Sequence, residues 1–399
     1  MKDRIILHVD MNSFFASVEA LSHTEVNGRP MAVAGDPENR GGIILAKNEL
    51  AKKAGVKTAE TIWSAQRKCP GLILLPPHHD LYEEYCAKAN EIYGRFTDLV
   101  EMAGIDESYI DVTGSAHLFG SGEQIAGLIR ETVKSELGLT VSVGVSFCKI
   151  FAKMGSDLRK PDFTSVIDRK HYREILYPLP ITDLMYVGQA TAKSLEDIGV
   201  RTVGDLAEIG RESLIRRLGK HGDLLYTYVQ GLDSEPVRRT EDSEDVKSIG
   251  NSMTFRRDLI SKNDISLGLS TLCESVAYRL RKHEKKCYGV QISIKTPEFK
   301  TIDRQTQLPH PTQLTKPIYN AAMELMTRSW KIGVPIRLLS VTAINLTGEN
   351  DGGQMTLFDD DADDKKQESL ERAIDKLKDS YGRDVVRSAS KIKNDLGIS

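Results

Sequence analysis

The chain has 399 residues, 40% of them apolar and 28% charged, with a formal net charge of -3, a length that allows two to four domains, each with a core of its own. No apolar run approaches the roughly 20 residues a bilayer span requires, and the start of the chain reads as a strand rather than a signal peptide, so the expectation is a soluble, cytoplasmic protein with no membrane partner. Five cysteines, Cys69, Cys86, Cys148, Cys273 and Cys287, are an odd number without C-x-x-C spacing, which argues for buried free thiols over a disulfide framework or a zinc site. Charge is unevenly spread. Five aspartates lie within 359–364, and without them the charge becomes +2. Residues 248–348 hold 15 Lys or Arg against 7 Asp or Glu, a local excess of the kind a nucleic-acid backbone selects, with a solvated basic face as the competing reading.

In chain order, the first element is Arg4-Ile5-Ile6-Leu7-His8-Val9-Asp10-Met11-Asn12. Such an apolar run suits a strand buried on both faces, and Asp10 falls where the strand gives out, the place where open α/β sheets gather ligands. Residues 12–25 carry Phe14, Phe15, Val18 and Leu21 at helical spacing and predict a helix that starts over this acid. Residues 28–76 alternate short apolar runs with Gly and Pro, with a helical stretch from Asn48 to Ala54. A long amphipathic pattern over 82–101 predicts a helix packed beneath a sheet.

Next comes Gly104-Ile105-Asp106-Glu107-Ser108-Tyr109-Ile110-Asp111-Val112-Thr113, a short strand or hairpin interrupted by two adjacent acids. Neighbours on a strand point to opposite faces, so the two acids cannot share one core, and an unpaired acid in a core is costly. A cation resolves the conflict. If this strand lies beside the first, Asp10, Asp106 and Glu107 form a carboxylate cluster able to hold Mg2+ against substrate phosphates, which supports two-metal phosphoryl or nucleotidyl transfer. For an isolated Asp-Glu pair, a solvated sheet edge is the competing reading.

A helix over 122–137, a strand over 140–146 and a basic helical segment with Lys149, Lys153, Arg159 and Lys160, ended by Pro161, complete an α/β domain. From 168 the pattern is helical. Tyr186 to Leu195 and Gly199 to Leu206 read as a helix-hairpin-helix whose turn offers backbone N–H groups to a phosphate, or as a plain αα turn. Residues 232–247 are polar and aperiodic and read as a tether. Beyond them, helices at 264–283 and 315–331 and strands at 288–295 and 337–346 predict a second α/β domain, and 366–395 a final helix.

His8-Val9-Asp10-Met11-Asn12-Ser13-Phe14-Phe15-Ala16-Ser17-Val18-Glu19 resembles the N-terminal motif of the Y-family DNA polymerases, and Gly104 to Asp111 resembles their second acidic motif. Ser142-Val143-Gly144-Val145-Ser146 leading to Lys160-Pro161, Val187-Gly188 to Leu206, and Ser248-Ile249-Gly250 to Phe255 follow in family order, so the resemblance covers residues 1–358 and rests on five ordered motifs. It implies an α/β multidomain right-hand polymerase: an α/β palm (1–11 and 77–167), small fingers (12–76), a helical thumb with a helix-hairpin-helix (168–231), a linker (232–247), a basic α/β little finger (248–348) and a tail (349–399). The implied function is template-directed, translesion DNA synthesis of low fidelity without proofreading, by a monomer acting on primer-template DNA and deoxynucleoside triphosphates with two Mg2+ ions.

The resemblance also assigns residues. Asp10, Asp106 and Glu107 are the implied catalytic acids, and with the Met11 carbonyl they are the implied metal ligands. Phe14, Phe15, Leu45, Lys52 and Lys160 are the implied nucleotide contacts, with Phe15 as the steric gate against a 2′-hydroxyl. Gly188, Ala190, Thr191, Arg256, Arg257 and Lys295 are expected on DNA, while Lys153 and Arg159 are expected on solvent or the backbone. Gln354, Met355, Leu357 and Phe358 resemble the sliding-clamp peptide of bacterial polymerases, in which apolar anchors fill a pocket. Tyr381-Gly382-Arg383 to Ser388 resembles the C-terminal region of another branch of the family. Two positions depart from the pattern: Glu49 and Lys52 stand where the family has Tyr and Arg on the triphosphate, and Asn12 where many members have a second Asp. Glu49 keeps open a clamp-tethered DNA-binding protein with an impaired polymerase site. Another palm-type nucleotidyl transferase or a nucleotide cyclase is the other alternative, disfavoured by the helix-hairpin-helix and the clamp peptide.

Overall fold

Strand β1 (Ile6–Met11) is buried along its whole length, as its unbroken apolar run requires. The computed structural model describes residues 3–36, 40, 42–242, 246–348, 361–382, 385–387 and 394–398, and the chain groups into two units, 1–34 with 44–243 and 35–43 with 244–399.

In the first unit β1 is followed by β2 (Met31–Ala34), β3 (Ile44–Lys47) and β4 (Ile73–Leu75), which make a small sheet ordered β3-β2-β4. The chain then returns with β5 (Val100–Met102), β6 (Glu107–Asp111), β7 (Val141–Ser146) and β8 (Thr164–Ile167) in a larger sheet ordered β5-β6-β1-β7-β8. β1 is central and antiparallel to both neighbours, in a register that sets Asp10 opposite Glu107. The expected alternation of Asp106 and Glu107 along a strand does not occur, because β6 begins at Glu107. Asp106 lies in the preceding bend, where its carbonyl accepts the Met11 N–H at 2.9 Å.

The two faces of β1 separate by parity, as a strand must. Leu7, Val9 and Met11 join a core with Tyr82, Ile92, Ile125 and Ile129 from the helices His79–Gly94 and Gly122–Leu137. Ile6, His8 and Asp10 face the helix Lys149–Leu158, through Ala152, Ser156 and Lys153 respectively. The Gly122–Leu137 helix keeps its expected bounds because both ends are coded locally, by a Ser121 capping box and a left-handed Gly138. The helix expected over 82–101 stops at Gly94, and its last two positions, Val100 and Glu101, belong to the edge strand β5.

Five helices between Tyr172 and Val229 enclose Leu195, Leu206, Leu214 and Leu225. The segment read as a free tether is in its first part attached to the sheet edge. Val237 is buried beside Ile6 and Tyr109, the Arg238 N–H donates to Glu101 at 2.8 Å, and Thr240 Oγ1 donates to the Val100 carbonyl at 2.9 Å. A single buried valine among charged residues leaves no periodic signal.

The second unit is an antiparallel sheet of β9 (Ser248–Leu259), β10 (Lys285–Lys295), β11 (Thr301–Thr312) and β12 (Ile336–Gly348), ordered β11-β10-β12-β9. The helices Lys262–Lys282 and Thr315–Ser329 share its core. β11 was not foreseen: it is an exposed edge strand holding Pro309 and Pro311, and an edge with two polar faces carries no apolar period. The final helix spans Asp361–Tyr381 rather than 366–395. Arg281, almost fully buried, pairs with its Glu371 and with Asp375 at 2.6 Å. Farther on, Leu396 and Ile398 enter the core, and the Leu396 carbonyl accepts the Arg256 N–H from β9 at 3.0 Å.

The Lys149–Leu158 helix can lie this close to the sheet because Gly155 on the helix meets Gly144 on the sheet. A β-carbon on Gly144 of β7 would sit 1.9 Å from the Ala152 carbonyl oxygen and 2.5 Å from the Ser156 nitrogen. Gly144→Ala is therefore expected to lower stability by about 3 kcal/mol, read from the denaturant midpoint. Gly127→Ala, in a helix with nothing within 4 Å of the new carbon, is expected to raise it by up to about 1 kcal/mol.

Candidate active site

The antiparallel pairing of β1 with β6 presses two acids together, and the rest of the site answers that charge. Lys153 Nζ lies 2.5 Å from Glu107 Oε1 and 3.4 Å from Asp10 Oδ2. Lys160 Nζ lies 2.7 Å from Asp10 Oδ2 and 2.8 Å from Asp157 Oδ1. Lys153, expected on solvent or DNA, is thus an internal counterion. Arg159 stacks over Phe163 at 5.0 Å.

Burial pushes the Asp10 carboxyl up to about 6 even against Lys160, and burial followed by the Glu107 charge also raises Asp106. Glu107 is held below the usual carboxylate range by the His8 imidazole, whose Nε2 is 3.6 Å away, and by Lys153. His8 is fully buried and meets Ser156 Oγ through Nδ1 at 2.9 Å. Two buried acids raised above the ordinary carboxylate range, with two lysines drawn to the cluster, mark a place that favours added positive charge.

The donors here are carboxylate oxygens, with the Met11 carbonyl next in the chain, the type that hard divalent cations take. Among the described residues no three of His, Cys, Asp and Glu converge closely enough to cage an ion. Mg2+ needs no such cage when substrate phosphates complete its shell, because one or two protein carboxylates then suffice. The ammonium groups of Lys153 and Lys160 stand in for cations against Asp10 and Glu107, so the residues fit the ion.

Asn12, one residue past β1, does not act as a second acid. Its Nδ2 donates to Ser142 Oγ at 2.8 Å and its Oδ1 accepts the Asp162 N–H at 2.8 Å, which fastens the loop bearing Lys160 to the end of β1. Phe15 stacks on Tyr82 with centroids 4.0 Å apart and planes 11° apart. Tyr82 donates to the buried Glu19 carboxylate, which also meets His78 Nδ1 at 2.9 Å. Glu19, Tyr82 and His78 were missed, because polar groups 59 and 63 residues apart meet only in the folded chain. Phe14, expected at the nucleotide, is 3% exposed and belongs to the core behind Phe15.

Leu45 packs in the same cluster as Phe15. Lys52 is half-exposed and lies 3.6 Å from Glu49. Lys47, also missed, is lowered by burial and then by Lys52, and donates to Thr58 Oγ1 at 2.9 Å. Gly188 is the N-cap of the helix Gln189–Glu196, whose first turn holds Ala190 and Thr191.

In the second unit, Ile292 and Ile294 of β10 are buried while Gln291, Ser293 and Lys295 alternate onto the other, open face. Arg256 pairs with Asp36 at 3.1 Å. Arg257, expected on DNA, is held between Asp264 at 2.9 Å and Asp395 at 2.7 Å, so it serves the fold. Gln354, Met355, Leu357 and Phe358 lie outside the described residues.

Residues 9–157 match the impB/mucB/samB family, 246–357 match the C-terminal domain of that family, and 182–233 match the thumb domain of DNA polymerase iota. A DNA polymerase IV of Acetivibrio thermocellus is 45% identical over 384 residues, 96% of each chain. A DNA polymerase IV of Clostridium kluyveri is 36% identical over 396 residues, 98% of each. Among solved structures, a Y-family DNA polymerase chimera superposes with a TM-score of 0.75 at 24% identity, covering 86% of this chain and 98% of that one, a likeness of fold.

If Lys153 is the stand-in cation, replacing it strengthens the field felt by a real one. Lys153→Met is expected to bind Mn2+ about tenfold tighter, equivalent to about 1.4 kcal/mol, measured by titration with Mn2+ paramagnetic resonance and no nucleotide present. Unchanged affinity would show that the lysine and the ion do not compete.

Proposed function

The chain belongs to the impB/mucB/samB family, the Y-family DNA polymerases, and from that premise we propose that it is a template-directed translesion DNA polymerase adding deoxynucleotides to a primer 3′ end. The observation that carries this reading is the register pair Asp10 and Glu107, with Asp106 in the adjoining bend and two lysines closing on the acids.

In this reading Asp10 and Asp106, helped by the Met11 carbonyl, would hold two Mg2+ ions, and Glu107 would assist the one at the primer 3′-hydroxyl. Bound there, the ions would lower the pKa of the attacking oxygen and screen the charge of the phosphates. The protein's own part is positioning. Lys160 leaves Asp10 for the incoming triphosphate, and the Asn12 bonds keep its loop within reach of that site. Phe15, backed by the Tyr82 ring and by Phe14, is a rigid wall that a 2′-hydroxyl would strike. Leu45 covers the nucleotide, and Lys52, a point charge rather than a bidentate arginine, meets its phosphates together with Lys47. Synthesis without a proofreading site is of low fidelity.

The five-stranded sheet is the palm, the small sheet the fingers, the helices after 168 the thumb, and the second unit the little finger. The amides at Gly188, Ala190 and Thr191 and the open face bearing Lys295 bind primer-template DNA through its backbone, with Arg256 at the edge of that surface. Residues 354–358 bind the sliding clamp. No helix among the described residues is long and apolar enough to cross a membrane, and the working form is a cytoplasmic monomer.

The Glu49–Lys52 pair at 3.6 Å favours the second reading, a clamp-tethered DNA-binding protein with an impaired polymerase site. Primer extension separates the two. The expected result is Mg2+-dependent, template-directed incorporation, reduced at least about a thousandfold in Asp106→Ala, the scale on which electrostatic groups at such sites act. No incorporation by the unaltered chain would leave the binding protein. Clamp capture is expected to fall at least about tenfold in Phe358→Ala, the loss of one apolar anchor, and unchanged capture would remove the clamp peptide.

A further inference from the structure

The loop that carries Lys160 turns back at Asp162, whose φ of +54° lies in the left-handed region that a residue with a β-carbon occupies at a cost. Every polar part of Asp162 is held by another element. Its N–H donates to Asn12 Oδ1 at 2.8 Å. Its carboxylate accepts Arg130 through Oδ1, from Nη2 at 2.8 Å and Nε at 3.1 Å, and Lys134 Nζ through Oδ2 at 3.1 Å. Its carbonyl accepts Arg130 Nη2 as well. Burial works against the charge on this carboxyl, yet Arg130 and Lys134 hold it below the usual carboxylate range. One guanidinium thus bridges the side chain and the main chain of a single residue, a task that suits a planar fork of donors.

Arg130 stands on the helix Gly122–Leu137, whose buried face joins the core beneath the sheet through Ile125, Ile129 and Val133. Among the described residues no hydrogen bond or ion pair links it to Asp10, Asp106 or Glu107. Its effect on the acids passes through the loop. Lys160 lies two residues before Asp162 and reaches Asp10 at 2.7 Å and Asp157 at 2.8 Å. The main chain of Lys160 makes no hydrogen bond of its own among the described residues, so its place is set by the helix end at Leu158 on one side and by Asp162 on the other.

We propose that Arg130 is a positioning residue for the incoming nucleotide: through Asp162 it fixes the loop backbone, so that the Lys160 ammonium swings from Asp10 to the triphosphate while the loop stays where it is. The inference rests on the polymerase reading and on Lys160 as a triphosphate contact, and it adds a residue that touches neither the nucleotide nor a metal ligand. A loop ordered in advance does not have to be ordered when the nucleotide arrives, so loss of the clip weakens binding more than it slows the chemical step.

The test is single-nucleotide extension by the full chain with primer-template and Mg2+, read as KM and kcat. Arg130→Met is expected to raise the KM for nucleotide about tenfold with kcat changed less than about threefold, and Arg130→Lys, which keeps the charge without the fork, to recover part of the loss. Lys134→Met removes an exposed partner of one carboxylate oxygen and is expected to move KM less than about twofold. Combined with Lys160→Met, Arg130→Met is expected to move KM less than about twofold too, because two residues that act through one contact are not additive. A general loosening of the fold would weaken nucleotide binding whether or not Lys160 is present. Should Arg130→Met not fold, Asp162→Asn, which tolerates the left-handed backbone and sheds the charge, is expected to raise KM about threefold and to lose that effect beside Lys160→Met. A parent-like KM in Arg130→Met, a fall in kcat at unchanged KM, the full loss persisting beside Lys160→Met, or a parent-like KM in Lys160→Met itself would each overturn the proposal. Failure of the parent chain to extend any primer would overturn the polymerase reading, a result distinct from these.

Discussion

Two carboxylates facing each other across an antiparallel pair of strands are the constraint to which the first unit is built. Asp10 and Glu107 are directly opposed in the register of β1 and β6, and unit charges a few ångströms apart near a protein surface interact with about 4 kcal/mol. Paired like charges on a sheet destabilise it. The chain meets this with Lys153 and Lys160, whose ammonium groups reach the two acids at 2.5 Å and 2.7 Å. Burial still holds Asp10 and Asp106 above the ordinary carboxylate range, and a divalent cation would offset that cost.

That arrangement depends on backbone being brought very near backbone. Gly144 lets the Lys149–Leu158 helix settle on β7, and the settled helix places Ala152, Lys153 and Ser156 over Ile6, Asp10 and His8. Asn12 then ties the loop after the helix to the end of β1. Phe15 belongs to the same design: Glu19, Tyr82 and His78 form a buried hydrogen-bonded group, and a satisfied buried polar group holds a unique geometry. One side of the site is made rigid by charge pairing, the other by an aromatic stack with a polar anchor.

The second unit follows a different rule. Its sheet buries one face under two helices and leaves the other open, and the helix Asp361–Tyr381 with Leu396 and Ile398 is spent on the closed side. Arg281 is buried with Glu371 and Asp375, a pair that would be costly if broken, and Leu396 and Ile398 close the core. Arg257 is drawn into this scaffold by Asp264 and Asp395, which leaves Lys295 on the open face.

What the sequence determined by itself is whatever local order encodes: acids at the end of β1 and the start of β6, the capped helix at 122–137, the helical segment after 168, and the basic composition of 248–348. These follow from periodicity, caps and strand termini, which need no distant partner. Tertiary structure decided the choices between chemically similar neighbours. Phe14 went to the core and Phe15 beside the site, Lys153 turned inward, Arg257 became structural, and the polar run through Val237 was fastened to a sheet edge. These outcomes depend on partners far along the chain, 143 residues away for Lys153 and 138 for Arg257, and the free energy of such a contact resides in a geometry that exists only once the chain has closed around it.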